Sequence, residues 1–187
     1  GRRVAVASGA EGTFCEQMVI SAKQALPVPS DLSDEAAASV FVNPLTAHVL
    51  IHDVLRVKKG DWLLITAAGS ALGRMKLALC REAGVRAIAV VRNPGAESAL
   101  MAAGAHAVVS THDSDLKSAV HRITSGEGVD GATDCVGGAL LSDVIQCVAP
   151  RGRVVIYGTL SGEPAALHPR DLMMPMAQIQ GFFLGQW

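Results

Sequence analysis

From residue 60 onward the chain reads as strand and helix by turns, and that alternation limits the fold more than any other feature of the sequence. The apolar run Trp62 to Ile65 is followed by a helical pattern from about Leu72 to Glu82. Ile88 to Val91 precedes a helix from about Gly95 to Ala102, and Val108 with Val109 precedes a helix from Asp115 to Ile123. The strand Gly131 to Asp134, the helix Ala139 to Cys147 and the strand Arg153 to Tyr157 continue the series; Gln178 to Leu184 reads as a last strand at the sheet edge. Strands joined through single helices pair in parallel with right-handed crossovers, because a right-twisted strand feeding a right-handed helix packs back onto its sheet only in that sense. The predicted class is α/β with a doubly wound parallel sheet. Gly84, Gly104, Gly126 and Gly152 each fall just past a helical stretch, where a left-handed cap is expected before the next strand.

The first thirty residues read differently. A Val-Ala alternation from residue 4, a Gly-rich turn over Ser8 to Gly12 and the stretch Phe14 to Ile20 predict two short strands joined by a turn. Pro27 to Asp31 breaks the chain, and Ser33 ahead of Asp34 and Glu35 caps an Ala-rich helix. The expected organisation is residues 1–30 as one piece and residues 31–187 as the α/β domain.

Charge excludes some functions. Sixteen Lys and Arg against 17 Asp and Glu leave a net charge of -1, so neither a nucleic-acid surface nor polybasic membrane docking is expected. The longest apolar runs, Ala87 to Val91 and Ala99 to Ala103, fall far short of the roughly 18 residues a membrane span needs. No targeting or lipidation signal marks either end, and the abrupt ends predict a piece of a longer chain. Cys15, Cys80, Cys135 and Cys147 are scattered without ligand or disulfide spacing, which predicts buried thiols in a reducing compartment, the cytoplasm.

The chemistry is expected after the first strand of the α/β series. Thr66 to Gly73 is a turn of small residues leading into a helix, which lets a backbone approach a pyrophosphate whose charge meets free N–H groups and the positive end of the helix dipole. Aligned on G-x-G-x-x-G, Ala68 to Gly73 keep only the last glycine, Gly73. About twenty residues on, where an acidic residue would take the ribose 2′-OH of NAD, the second strand ends in Arg92. A guanidinium fork there binds a 2′-phosphate, so NADPH is expected in preference to NADH.

These stretches, with Gly12 to Glu16, Val42 to Ala47, Val90 to Arg92, Asp134 to Gly138, Tyr157-Gly158 and Gly181 to Trp187, resemble the medium-chain dehydrogenase/reductase superfamily in its zinc-independent branch of quinone oxidoreductases and 2-enoyl thioester reductases. Asn43-Pro44-Leu45-Thr46-Ala47, Arg92 and the closing Gly-Phe-Phe-Leu run look most like the enoyl thioester reductases. The resemblance implies that residues 1–30 are the end of a GroES-like catalytic domain and residues 31–187 the NADP-binding Rossmann domain. It also implies that Asn43 and Thr46 flank the nicotinamide, that Ser70, Ala71, Leu72 and Gly73 hold the pyrophosphate, and that Arg92 holds the 2′-phosphate. Cys135, Tyr157 and Gly158 would border the cofactor, and Phe182, Phe183 and Leu184 would offer backbone groups to its carboxamide. The reductases' proton-donating tyrosine belongs to an earlier part of the catalytic domain, so no catalytic residue is expected here and this chain alone is expected to be inactive. Val42 stands where zinc-dependent members carry a metal-binding cysteine, so no metal is expected.

His48 and His52, four residues apart, lack the Glu base and third ligand of a zinc site, and read as partly exposed helical histidines. The expected activity is hydride transfer from NADPH to an activated C=C bond of an enoyl thioester. The alternatives are quinone reduction and a nucleotide-binding module without turnover. The expected assembly is a homodimer pairing through the edge strand near residues 178–184.

Overall fold

The structure, a computed structural model, describes residues 1–6 and 13–187, so the Gly-rich turn expected over Ser8 to Gly12 lies outside the described residues. The chain divides into two compact units, Gly1–Leu45 and Thr46–Trp187, and the boundary expected near residue 30 falls inside the first.

In the first unit, strand β1 (Val4–Val6) pairs antiparallel with β2 (Ala25–Pro27), Val4 opposite Pro27 and Val6 opposite Ala25. The partner strand expected over Phe14 to Ile20 does not form. Phe14 and Val19 are fully exposed, so the apolar residues there cover no core. The partner comes instead after a single 3-10 turn, Ala22–Gln24, closed by a reciprocal cap between Ser21 and Gln24. Helix α1 (Asp34–Ala38) starts as expected at Ser33, whose hydroxyl accepts the Ala36 N–H, and Arg3 reaches from beside β1 to Asp34 at 2.5 Å. Helix α2 (Val42–His48) carries the chain from this unit into the next.

The second unit opens with a π-helical turn, Val49–Val54, in which the Leu55 N–H reaches back five residues to the Leu50 carbonyl. Beyond it lie β3 (Trp62–Ile65), α3 (Ala71–Ala83), β4 (Arg86–Val91), α4 (Glu97–Ala103) and β5 (Ala107–Ser110). Then follow α5 (Leu116–Ile123), β6 (Val129–Asp134), α6 (Gly138–Ile145), β7 (Val148–Ile156), α7 (Pro169–Met173) and β8 (Gln178–Gly181). The six strands form one parallel sheet in the order β5-β4-β3-β6-β7-β8. From β3 the chain winds outward to β5, then crosses back to β6 on the other side of β3. The strand order therefore reverses between β3 and β6, and the carboxyl ends of those two strands form the crevice where ligands of open α/β sheets bind.

Each face of the sheet carries its own core. Leu63, Ile65, Ala87, Ala89 and Val155 pack against Leu77 and Cys80 of α3, Leu100 of α4 and Leu50, Ile51 and Val54 of the π-helical segment. On the opposite face Leu64, Ile88, Val90, Ala132 and Val154 meet Leu116, Ala119 and Val120 of α5 and Leu141, Val144 and Ile145 of α6. A strand covered on both faces has no polar side to show, which is why β3 and β4 read as continuous apolar runs.

Gly84, Gly104 and Gly126 take positive φ after their helices, as expected. Gly152 does not: it lies inside β7, where a Cβ would come within 2.9 Å of the Val129 and Ala149 carbonyl oxygens, and its neighbour Arg151 takes the positive φ of 65°. The register slips there, from Val129 opposite Val148 to Gly131 opposite Arg153, so the glycine serves a close backbone approach at an irregularity rather than a helix cap. Of the cysteines, Cys80, Cys135 and Cys147 are buried, whereas Cys15, contrary to the expectation for all four, is exposed.

Candidate nucleotide site

The turn between β3 and α3 is built by small residues for steric reasons that can be measured. Ala67 adopts the left-handed conformation, φ 47°. Ser70 caps α3, its hydroxyl accepting the Gly73 N–H at 3.0 Å. A Cβ at Gly73 would come within 2.5 Å of the Ala68 carbonyl oxygen and 2.7 Å of that of Ala67, so only glycine lets the first turn of α3 lie so close to the loop. Because Ser70 occupies the Gly73 amide, Gly73 contributes space rather than a donor. The amides of Ala71 and Leu72, which the helix itself cannot satisfy, remain at the positive end of its dipole. The cradle therefore fits the diphosphate of an extended nucleotide.

Arg92 follows the last residue of β4 and is exposed, with the strand end pinned by hydrogen bonds from Ser110 Oγ and the His112 N–H to the Arg92 carbonyl. It lines a groove of about 610 Å³ together with Ala67 of the phosphate loop, Thr111, Val136, Leu140 and Ser161. Asp143 of α6 closes one side, its carboxyl held above the usual range first by burial and then by repulsion from Asp115. The structure thus brings Arg92 and the phosphate loop to one groove at the carboxyl end of the sheet.

The carboxyl end of β6 is fixed by a buried network that the sequence reading missed. Asp134, fully buried, accepts the Thr66 hydroxyl at 2.7 Å, the Val136 N–H at 3.2 Å and the Gly137 N–H at 2.8 Å. Thr66 in turn accepts the Cys135 N–H at 3.2 Å. One carboxylate thereby joins the ends of β3 and β6, the two strands that flank the crevice, and sets the path of Cys135. Gly158 passes so close to that turn that a Cβ on it would sit 3.0 Å from the Cys135 Cβ.

Tyr157, directly after β7, is half-buried, and its phenol oxygen accepts from the Lys76 ammonium at 2.8 Å. Lys76 also donates to Thr133 Oγ1 at 2.8 Å and is itself entirely buried. Lys76 escaped the sequence reading although a signal existed: it falls with Gly73, Leu77 and Cys80 on the inward face of α3, at the spacing where apolar residues belong. Burial also pushes the Tyr157 phenol upward.

Of the remaining expected positions, Thr46 is buried near the end of α2 and Asn43 lies one turn earlier on the same helix, in the first unit. The strand expected over 178–184 stops at Gly181, and the chain turns into a short 3-10 segment, Leu184–Gln186. The Phe182 amide is engaged with the Ile156 carbonyl at 2.8 Å, so of the expected carboxamide partners Phe182 retains only its carbonyl. Phe183 is exposed and Leu184 partly so. His48 and His52 lie side by side, ring centroids 4.6 Å apart, both exposed. Among the described residues no three side chains cluster as metal ligands would, and no helix is long and apolar enough to cross a membrane.

A doubly wound parallel sheet, a glycine-pinched phosphate turn at its switch point and a strand-end arginine in the adjoining groove define a nucleotide-binding domain of the dehydrogenase type. Residues 71–187 match the family described as zinc-binding dehydrogenase, and the chain belongs to it, in the zinc-independent branch of the medium-chain dehydrogenase/reductase superfamily. It is 30% identical over 164 residues to a 2-haloacrylate reductase of Burkholderia sp, covering 87% of this chain and 49% of that one. It is 29% identical over 181 residues to the mitochondrial enoyl-[acyl-carrier-protein] reductase of Dictyostelium discoideum, covering 94% and 51%. Among solved structures, a quinone oxidoreductase of Pseudomonas syringae superposes with a TM-score of 0.82 at 25% identity, covering 88% of this chain and 51% of that one. A mycobacterial protein complexed with NADPH superposes at 0.80 with 28% identity, covering 88% and 52%. The chain spans about half the length of these relatives.

Proposed function

We propose that this chain is the NADPH-binding part of a zinc-independent reductase that saturates an activated C=C bond, with an enoyl thioester as substrate. The observation that carries the reading is Arg92, which closes β4 in place of a carboxylate and shares a groove with the phosphate loop. A carboxylate there would select the free ribose hydroxyl, whereas the guanidinium selects a 2′-phosphate.

In this reading the Ala71 and Leu72 amides hold the diphosphate, Arg92 the 2′-phosphate, and the turn from Cys135 past Gly158 leaves room for the sugar and ring. Thr46 supplies a polar group on the nicotinamide side, and Phe183 and Leu184, whose carbonyls are taken by the Gln186 and Trp187 N–H groups, offer amide donors near the end of β8. The bound cofactor supplies the hydride. The residues of this chain orient its ring and exclude water from it. Residues 1–30 are read as the end of a GroES-like catalytic domain and residues 31–187 as the NADP-binding domain. The whole enzyme is read as a cytoplasmic homodimer, paired through the exposed side of β8.

Support for the enoyl reading comes from the mitochondrial enoyl-[acyl-carrier-protein] reductases among the relatives, and support for quinone reduction from the quinone oxidoreductase likeness. Fluorescence titration of the chain with NADPH and NADH, followed by NADPH oxidation assays of the longer protein with a 2-enoyl thioester and with a quinone, separates them. NADPH-selective binding with thioester-dependent oxidation is the expected result. Quinone-dependent oxidation alone moves the assignment to the second reading, binding without oxidation leaves a nucleotide-binding module, and equal affinity for NADH overturns the role of Arg92.

A further inference from the structure

Among the described residues the buried ammonium of Lys76 makes no hydrogen bond to a carboxylate. Its two acceptors, Thr133 Oγ1 and the Tyr157 phenol, are neutral, and its charge also lies 4.3 Å from the centroid of the Tyr157 ring. Asp134, the carboxylate whose charge reaches Lys76, spends its hydrogen bonds on Thr66 and on two backbone amides. Of the other ionisable groups around it, Cys80 on the same helix is a thiol pushed up to about 12 by burial, and Cys135 follows β6. His48, His52 and Asp53, on the segment packed against α3, are exposed, as are Arg74, Arg81 and, on α4, Glu97. Taking an ammonium out of water is costly, and here that cost outweighs the attraction of Asp134, so burial brings the Lys76 pKa down to about 7.

Position gives this charge a use. Thr133 is the penultimate residue of β6, Tyr157 follows β7, and α3 starts at the phosphate turn. Lys76 thus sits at the carboxyl ends of β6 and β7, across the switch point from β4 and Arg92. A dinucleotide with its diphosphate on the α3 terminus and its phosphorylated ribose at Arg92 must extend its other half toward β6 and β7. In NADP that half is a ring that is cationic when oxidised and neutral when reduced.

We propose that Lys76 sets the redox-state specificity of the site: its buried ammonium repels the cationic nicotinamide of NADP⁺ and tolerates the neutral ring of NADPH, so that NADP⁺ binding is coupled to loss of the Lys76 proton. This rests on the reading that the site takes NADPH. It makes Lys76 a specificity residue that acts through its charge, without touching the ring. For a reductase the consequence is release of spent cofactor. At an effective dielectric near 20, a charge pair up to about 10 Å apart is worth at least about a tenfold change in affinity.

The test is titration of the full chain with NADPH, NADP⁺ and 2′,5′-ADP from pH 6 to pH 9, for wild type and Lys76→Met, with binding heats measured in two buffers of different ionisation enthalpy. The 2′-phosphate titrates in all three ligands and cancels in the ratios. Expected for wild type is a Kd ratio of NADP⁺ to NADPH that falls about tenfold or more as the pH rises, with protons released on binding NADP⁺ beyond those exchanged with NADPH. Lys76→Met should give a flat ratio at the wild-type high-pH value and an unchanged 2′,5′-ADP profile. A flat wild-type ratio, or a sloping one that survives in Lys76→Met, overturns the proposal while leaving the NADPH reading intact. Failure of both dinucleotides to bind overturns that reading and this proposal with it. The wild-type proton count decides the matter even if the variant does not fold.

Discussion

Arg92 offers the most direct test at the scale of one residue. It is exposed at a strand end and its side chain braces nothing among the described hydrogen bonds, so removing it should cost binding rather than folding. Arg92→Ala should weaken NADPH by about 1.5 to 3 kcal/mol, the worth of hydrogen bonds to a charged group, or about a ten- to hundredfold rise in Kd. NADH should be nearly unaffected, and the loss should shrink with salt. Paired fluorescence titrations decide it; equal losses for both cofactors would make Arg92 a structural residue. Gly73 is the opposite case. A methyl group there meets two backbone carbonyls at 2.5 and 2.7 Å, neither on a flexible side chain, so Gly73→Ala should lower stability by about 1 to 3 kcal/mol in chemical denaturation, with nucleotide affinity falling alongside. Unchanged stability would mean the loop yields more easily than its geometry implies. Both residues were legible in the sequence because each stands at a fixed distance from a strand end. Lys76 and Asp134 were not. Their roles arise from what α3 and β6 bring together across 57 residues, in the Lys76–Thr133 contact, and no local pattern encodes such a pairing.

Elements were legible where packing and local preference agree. β3 is where its apolar run places it, α3 differs by a residue at each end, and α5 starts one residue after its cap Asp115. The misreadings share a cause. Phe14 to Ile20 is rich in apolar residues but leaves Phe14 and Val19 uncovered, and Gly152 has the spacing of a cap but sits at a register slip in β7. The π-helical turn at Val49–Val54 has no compositional mark. Asp115 shows how a cap can be tested as an element. Hydrogen bonds from the Ser118 side chain and backbone hold its carboxyl below the ordinary 3.8. A carboxyl with a lowered folded pKa adds stability above its unfolded pKa and loses it as pH falls through the folded value. Asp115→Asn keeps a capping oxygen but has no charge to lose. The wild-type melting temperature should therefore fall more steeply below pH 4 than that of the variant, as thermal melts from pH 6 to pH 2 would show; parallel curves would remove the cap from the acid response.

At the scale of the whole molecule the open question is the free side of β8. Among the described residues the strand bonds to β7 alone, and its other side presents backbone groups beside exposed Phe183 and Trp187. Its geometry identifies which groups those are. The Phe182 N–H points inward to the Ile156 carbonyl, and backbone direction alternates along a strand, so the Gln180 amide also points inward while those of Ile179 and Gly181 point out. If two copies pair across a two-fold axis through this edge, their outward amides carry the interface hydrogen bonds. Gly181→Pro removes one outward donor and leaves the β7 ladder intact, and the added ring starts from a Cβ position with nothing within 4 Å. The variant should melt close to wild type yet scatter light as a monomer at micromolar concentration, where the wild type scatters as a dimer. A wild type that is monomeric under those conditions would sink the edge-pairing assembly. A variant that stays dimeric would move the interface elsewhere, with the exposed methionines Met173, Met174 and Met176 the next surface to substitute.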